Sequence, residues 1–461
     1  MLMELSGWGR YPRAVNTVFV PTKGEDAMPP SVGRMIARGQ GRSYGDAAML
    51  RDGSVLLCTR LSRLVQFDEK SGILVAEGGA TIDQILRTFG PLGWFPSVTP
   101  GTKHVSLGGC IAADVHGKNH HRAGAFSEYV TEFQLVTANR RTVTCSRNEN
   151  AELFWATVGG MGLTGIITKV SFRLRQVESA FMMVEHRAAS DLDRSLEFLE
   201  LDAFDDQYTV AWIDCLSRGR ALGRSILMCG HHAALDELPR RTAFRPFELK
   251  RSRRLNVPFD LPSWVLNSFT ATAFNNVYYH TQRARSGEFV SDYESFFYPL
   301  DKVDNWNRMY GRKGFIQYQF ALPPNHAREG LLQVIEQLAR SGRPSFLSVL
   351  KRFGPQSRGL LSFPITGYTL TLDIPIRDAG LFAFLDRLDE IVLKFDGRVY
   401  LAKDARLSPA SFRAMYPRFA EWQRVKERFD SQNRFMSDLS QRLEMHCPER
   451  VEPKQRAFKN Q

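Results

Sequence analysis

Two glycine-rich loops about 60 residues apart constrain this 461-residue chain more than any other feature of its sequence. The first reads Ile36-Ala37-Arg38-Gly39-Gln40-Gly41-Arg42-Ser43-Tyr44-Gly45-Asp46. Three glycines within seven residues, beside arginines and a serine, can turn backbone N–H groups toward one point and hold an anion such as a pyrophosphate. A plain hairpin turn would read similarly. The second loop runs Thr99-Pro100-Gly101-Thr102-Lys103-His104-Val105-Ser106-Leu107-Gly108-Gly109-Cys110-Ile111-Ala112-Ala113-Asp114. Here Pro100 and Gly101 set a rigid turn, Ser106 can cap a helix, and Gly108 with Gly109 lets a flat ligand approach the backbone. Together the loops imply a large ligand that carries both a diphosphate and a flat ring. No GxGxxG follows a first strand with an acid about twenty residues on, so a Rossmann site lacks support.

Directly after the second loop comes His116-Gly117-Lys118-Asn119-His120-His121. Three histidines in six residues suggest a metal, but no carboxylate or thiolate cluster accompanies them, and adjacent His120 and His121 would point apart on a strand. A histidine that orients a hydroxyl or shuttles a proton fits better. A third glycine run, Val158-Gly159-Gly160-Met161-Gly162-Leu163-Thr164-Gly165, would by itself be a tight turn.

The first 175 or so residues read as short strands (54–58, 72–77, 133–136, 165–172) with an amphipathic helix at 81–89, an α+β pattern. Beyond residue 181 longer helices (191–200, 326–340, 380–395) alternate with strands (207–215, 315–322, 346–353, 368–375), a sheet covered by helices. Gly397 is placed to end the helix at 380–395. A helical tail at 411–424 carries Phe412, Met415, Phe419 and Trp422 on one face. The segment around Pro29-Pro30 is too irregular for a helix. With 461 residues two or three domains are expected, so a large core needs no disulfide staple. The cysteines (Cys58, Cys110, Cys145, Cys215, Cys229, Cys447) are scattered without a CxxC pair. The opening residues lack a signal-peptide pattern and no run approaches about 18 apolar residues, so a cytoplasmic protein without a transmembrane helix is expected.

Net charge is +12, which favours an anionic partner: nucleic acid, anionic lipid or a phosphorylated substrate. Part of the excess is local, with Arg240, Arg241, Arg245, Lys250, Arg251, Arg253 and Arg254 set against Glu248. A solvated loop would look the same. Residues 250–290 mix this cluster with apolar side chains and read either as a mobile lid or as an ordinary helix whose apolar face is core. A nucleic-acid-binding module would interleave aromatics with the basic residues, as Phe244 and Phe247 do, but it leaves both glycine loops unexplained.

The loops, the glycine turn and their order resemble the flavin-binding domain of the vanillyl-alcohol-oxidase superfamily. More narrowly, Gly7-Trp8-Gly9-Arg10, Arg38–Asp46, His116–His121, Glu152-Leu153-Phe154-Trp155-Ala156-Thr157-Val158-Gly159-Gly160, Tyr298-Pro299-Leu300-Asp301, the strand at 315–320 and Ala402-Lys403-Asp404 resemble the decaprenylphosphoryl-β-D-ribose 2′-oxidase family. These matches run from Gly7 past Tyr416. The resemblance implies a two-domain α+β flavoprotein. Residues 1–180 and 398–461 would bind FAD, and 181–397 would form an inserted substrate domain of antiparallel sheet covered by helices. It also implies oxidation of the 2′-hydroxyl of a polyprenyl-phosphoryl ribose to a keto sugar. A separate NADH-dependent short-chain reductase would complete the epimerisation toward an arabinose donor. The lipid-linked substrate would give the basic patch a purpose at a membrane surface, with peripheral attachment at the inner membrane and no nucleic acid. The alternative within the superfamily is an FAD-dependent oxidase of a free polyol or aldonolactone.

For the cofactor the resemblance points to Arg38, Gly39, Gln40, Gly41, Arg42, Ser43 and Tyr44 in the first loop. In the second it points to Pro100, Gly101, Thr102, Ser106, Gly108, Gly109 and Ala112. Further cofactor residues would be His116, Gly117, Asn119, Gly162, Gly165, Ile166, Tyr400 and Lys403. Many relatives attach FAD through a histidine in the first loop, where this chain has Arg42, so non-covalent FAD is expected. Hydride transfer needs a group for the hydroxyl proton and positive charge near the flavin. Lys403 is the candidate for the charge, and His116 for orienting or deprotonating the sugar, with Tyr44 in reserve. Lys118, Gln319, Lys351 and Asp373 would reach the substrate, and Trp212 would wall the pocket or sit in the core. Where the family often has cysteine before Asp373, this chain has Thr371.

Overall fold

The computed structural model describes residues 1–446 apart from 25, 30, 31, 202–206, 250–253, 263 and 286. Lys250, Arg251 and Arg253 of the basic cluster, Pro30 and Cys447 therefore lie outside the described residues. Three sheets carry the site. A four-stranded sheet orders Leu2–Ser6, Arg13–Phe19, Ser54–Leu57 and Met35–Arg38, the last two parallel. The first glycine loop leaves this sheet at Arg38. A second sheet orders Leu64–Asp68, Ile73–Glu77, Ile166–Gln176, Val130–Val136 and Thr142–Ser146, with Trp94–Pro96 also paired to the third of these. That strand is longer than the sequence predicts because it serves three partners along its 11 residues.

The third sheet has eight strands in the order Glu288–Asp292, Phe181–Ala189, Ser225–His232, Tyr208–Ile213, Ser348–Phe353, Gly367–Pro375, Phe315–Leu322 and Arg398–Val399. Its last strand, expected to open the returning cofactor segment, pairs with Phe320 and Ala321 at the sheet edge. Helices Leu192–Glu200, Pro324–Ser341 and Gly380–Lys394 cover one face. Strand alternation decides which side chains point there. Leu227, Cys229, Ala211 and Ile213 join the main core on the helix side, while Trp212 and Ile226 form a separate cluster on the other. Both central strands, Phe315–Leu322 and Gly367–Pro375, are buried throughout, as a sheet covered on both faces requires.

Several local expectations are corrected. The tail at 411–424 is two helices, Pro409–Met415 and Phe419–Phe429, because Pro417 lacks the N–H that would continue the first. Their apolar face still docks: Trp422 is fully buried and its Nε1 donates to the Ala156 carbonyl at 3.0 Å. The helix Gly380–Lys394 is capped by Phe395, and the left-handed residue that follows the cap is Asp396, not Gly397. Asp396 takes the left-handed conformation (φ 54°), and Gly397 follows it, donating to the Val392 carbonyl at 2.8 Å. His120 and His121 open a one-turn helix, His120–Ala123, and do not lie on a strand. Within 250–290 the dominant element is a 16-residue helix, Ser268–Arg283, which starts at a capping box formed by Asn267 and Thr270. Its Ala271, Asn275 and Tyr279 are buried and it packs on strands Phe181–Ala189 and Ser225–His232.

The tail is tied to the glycine turn by one buried cation. Lys426 Nζ donates to the carbonyls of Leu163 (2.8 Å) and Phe435 (2.9 Å) and pairs with Asp430 at 2.8 Å, and both charged side chains are almost fully buried. Removing one member of such a pair strands the other charge. Lys426→Met is therefore expected to cost about 3–5 kcal/mol, read as a drop in thermal midpoint.

Candidate active site

The two glycine loops meet. A Cβ built on Gly39 would stand 2.0 Å from Ser106 Oγ, so any side chain here would push the Ser106 hydroxyl out of its present position. Ser106 in turn caps the helix Leu107–Ala112, accepting from the Gly109 N–H at 3.3 Å. Around this meeting point opens a cavity of about 960 Å³. Its wall includes residues 37–44, 99–102, 105, 106, 108, 109, 161, 162, 165, 400, 402 and 403, and nine of its lining residues are glycines. Side chains are thereby kept off a surface wide enough for a flat ring and a diphosphate. Arg38 clamps the first loop, donating to the carbonyls of Ala48 (3.1 Å) and Ser6 (2.6 Å). Arg42 lies 4.0 Å from the centre of the Trp8 ring, and its buried Nε has no partner among the described residues. A free cationic donor beside a glycine cradle suits a dinucleotide cofactor such as FAD.

At the far end of the loops the polar groups converge. His116 Nε2 lies 3.0 Å from Gln319 Nε2, and that amide nitrogen also donates to Thr369 Oγ1 at 3.1 Å. Thr369 gives its own hydrogen to the Phe320 carbonyl at 2.8 Å, so its oxygen can only accept from Gln319. An amide nitrogen donates, so His116 Nε2 is the bare nitrogen and the proton sits on Nδ1. Nδ1 is buried without a partner among the described residues. Burial, reinforced by the nearby Lys351, His120 and Lys403, holds the ring far below the ordinary histidine pKa, so it is neutral.

Three lysines enter the same cavity. Lys403 Nζ lies 3.8 Å from the centre of the Tyr44 ring. Lys118 Nζ donates to the Phe296 carbonyl at 2.5 Å, and Lys351 stands on strand Ser348–Phe353. Each keeps part of its surface open to the cavity, yet lies deep enough for desolvation to favour the neutral amine. Lys118 and Lys403 fall to about 7 and Lys351 to about 8. Asp373 is the nearby carboxylate; burial raises it to about 7, against the hydrogen bond from Gln317 Nε2 at 2.6 Å and the charge of Lys403. Burial also raises the Tyr44 phenol well above 10, so Tyr44 remains a phenol and not a base.

Most residues expected at the site line this cavity: His116, Lys403 and Tyr44, Lys118, Trp212, Gln319 and Lys351, and the glycine-loop positions from Arg38 to Ala112. Tyr400 lines it too, donating to the Ala113 carbonyl at 2.8 Å. Three do not reach the wall. Asn119 faces inward and donates to the Ser97 carbonyl at 2.8 Å. Ile166 belongs to a core cluster with Met35 and Leu56, and its strand neighbour Ile167 lines the cavity instead. Asp373 stands behind Gln317. Sequence reasoning missed Trp8, Gln317 and Tyr310, which also line the cavity. Gln317 was within reach, because polar residues at positions 317 and 319 of an otherwise apolar strand share a face.

Comparison with known proteins agrees with this geometry. A family model described as an FAD binding domain matches residues 33–146, and one described as D-arabinono-1,4-lactone oxidase matches 308–443. The chain is 38% identical to the decaprenylphosphoryl-beta-D-ribose oxidase of Mycolicibacterium smegmatis, over 96% of this chain and 97% of that protein. It is 23% identical to the L-gulono-1,4-lactone dehydrogenase of Mycobacterium tuberculosis, over 89% and 90% of the two chains. The contact between the loops gives a direct test. Gly39→Ala should turn the Ser106 hydroxyl off the Gly109 N–H and leave purified protein with less flavin absorbance per chain, while its far-ultraviolet circular dichroism stays unchanged.

Proposed function

This chain belongs to the decaprenylphosphoryl-β-D-ribose oxidase family of two-domain FAD-dependent oxidoreductases, and on that premise we propose that it oxidises the 2′-hydroxyl of a polyprenyl-phosphoryl ribose. The observation that carries this reading is the single cavity in which glycine loops suited to FAD run into a neutral histidine and three lysines. Residues 1–180 and the returning tail would form the FAD unit, and the eight-stranded sheet with its helices the substrate unit. FAD would be held without a covalent link, since the first glycine loop carries Arg42 and no histidine to attach it. When bound, FAD supplies the hydride acceptor.

Oxidation of a secondary alcohol removes a hydride from carbon and a proton from oxygen, and the protein's part is to hold the alcohol and take the proton. The Gln319 amide occupies the lone pair of His116, which leaves Nδ1–H as a donor. His116 therefore orients the hydroxyl. Lys403, lowered to about 7, has the neutral amine that accepts the proton, and the negative charge of Asp373 favours the ammonium that forms. An acceptor must be deprotonated to work, so the chemical step gains rate as pH rises through the Lys403 value. The family resemblance implies that a separate NADH-dependent short-chain reductase would then reduce the keto sugar and complete the epimerisation.

A lipid-linked substrate would bring the enzyme to a membrane surface. Among the described residues no helix is long and apolar enough to cross a membrane. Among the described residues, seven of the fourteen large hydrophobic side chains exposed to water fall between Phe244 and Val277, including Trp264 (72%), Phe269 (81%) and Val277 (68%). Residues 261–285 hold no acid, and Arg283 and Arg285 follow the apolar stripe. Such a face suits peripheral attachment to an anionic leaflet. One experiment tests substrate and surface together: anaerobic mixing of the purified holoprotein with anionic vesicles that carry a polyprenyl-phosphoryl ribose. The flavin absorbance should bleach and the protein should sediment with the vesicles. Bleaching by a free polyol or aldonolactone, with none by the lipid-linked sugar, would move the activity to the lactone-oxidase side of the superfamily.

A further inference from the structure

Lys403 is the proton acceptor of the reading above, and its side chain is held by little of its own. Among the described residues its Nζ makes no hydrogen bond or ion pair; it rests on the face of the Tyr44 ring, 3.8 Å from the centre. The position of the amine is therefore set by two backbones. One is the turn at 400–404, closed by the Lys403 N–H on the Tyr400 carbonyl at 2.9 Å and the Asp404 N–H on the Leu401 carbonyl at 3.2 Å. The other is the first glycine loop, which presents Tyr44. The two touch: the Tyr44 N–H donates to the Ala402 carbonyl at 2.9 Å, and a Cβ built on Gly45 would stand 1.8 Å from the Asp404 carbonyl oxygen. Only glycine lets the backbones come that close.

One side chain from the returning tail spans this contact. Arg442 ends the short helix Asp438–Arg442, which starts at a capping box formed by Ser437 and Ser440. Its Nε and Nη2 donate to the two oxygens of Asp46 at 3.0 and 2.9 Å, Nη2 also donates to Asp404 at 2.8 Å, and Nη1 donates to the Leu407 carbonyl at 2.7 Å. Asp46 lies two residues after Tyr44, and Asp404 directly after Lys403. Both carboxylates are buried. Burial and the charge of Asp404 push the Asp46 carboxyl up, and the guanidinium opposes both. A planar fork serves two carboxylates and a carbonyl at once, a geometry that a single ammonium does not reproduce.

We infer that Arg442 is a positioning residue of the reaction: by joining Asp46 to Asp404 it keeps the Lys403 turn seated on the Tyr44 loop, and so keeps the unanchored amine inside the cavity. The inference rests on the role given to Lys403 above for its effect on rate, but the clamp itself can be read without turnover. The groups that face the Lys403 amine are Tyr44 and His116 on the two loops and Asp373 and Lys351 on two strands. Substitution of Arg442 removes none of them. What it changes is the depth of the amine. An amine released toward water regains its charged form, so its titration moves up from about 7 toward the ordinary lysine value. An Asp404 carboxylate left without its guanidinium acts in the same direction.

The experiment uses the FAD-loaded protein and two readouts across pH: acetylation of Lys403 by trace acetic anhydride, quantified by peptide mass spectrometry, and single-turnover reduction of the flavin by the lipid-linked ribose. Arg442→Gln alone strands two buried carboxylates, so it is combined with Asp46→Asn, which removes one of them. In the double variant the acetylation of Lys403 should titrate about one pH unit or more above the native protein, and flavin reduction near neutral pH should slow about tenfold. Arg442→Lys restores the charge without the fork and should recover only part of both. Where the double variant does not hold flavin, Asp46→Asn alone carries the same comparison with a smaller shift. A flavin-loaded variant that acetylates Lys403 with the native pH profile would overturn the clamp, as would complete recovery by Arg442→Lys, which would leave a charge effect only. A shifted acetylation profile with an unshifted rate profile would uphold the clamp and overturn the proton-accepting role given to Lys403 in the preceding section.

Discussion

Three lysines drawn into one cavity, with the charge of Asp373 acting on Lys403, are the constraint on which the rest of this structure turns. Burying ammonium groups is unfavourable, and a protein that does so must recover the cost through a ligand, a shifted protonation state or both. Here all three lysines are pushed toward the neutral amine, and so is the His116 ring among them. The cavity is therefore less positive than its composition suggests, and its charge state responds to what enters it.

The fold supplies that arrangement through two devices. Glycine at the point where the loops touch, Gly39 against Ser106, leaves a surface free of side chains where a flat cofactor can lie. Strand alternation does the rest. On Phe315–Leu322, Gln317 and Gln319 face the cavity, while Tyr318 turns to the covering helices and donates to Asp389 at 2.9 Å. Gln319 then fixes the tautomer of His116 through Thr369, two strands' worth of backbone holding one proton in place. Positioning and protonation thus come from the same sheet.

Much of this was legible in the sequence, and the remainder was not for identifiable reasons. The glycine loops, the helices at 81–89 and 191–200 and the strand at 315–322 follow from local chemistry, so residue types alone disclose them. The division of the tail at Pro417 was equally local, but the apolar spacing of Phe412, Met415, Phe419 and Trp422 outweighed it. The helix Ser268–Arg283 shows the limit of periodicity. Its apolar residues lie on two faces, one toward the sheet and one toward water, so no single amphipathic stripe exists to be read. Asn119, Ile166 and Asp373 were expected in contact with ligand and stand behind the cavity wall, a distinction that only three-dimensional packing makes.

The central claim is that Lys403 takes the substrate proton while His116, locked as a donor, only orients the hydroxyl. It is tested most directly by single-turnover flavin reduction across pH, in the native protein and in Lys403→Met and His116→Gln. The account predicts a native rate that rises with pH through a group near 7. It predicts that Lys403→Met is slow and flat across that range, and that His116→Gln is slow but keeps the rise. A Lys403→Met protein that retains the rise, with His116→Gln losing it, would contradict the account and make His116 the base.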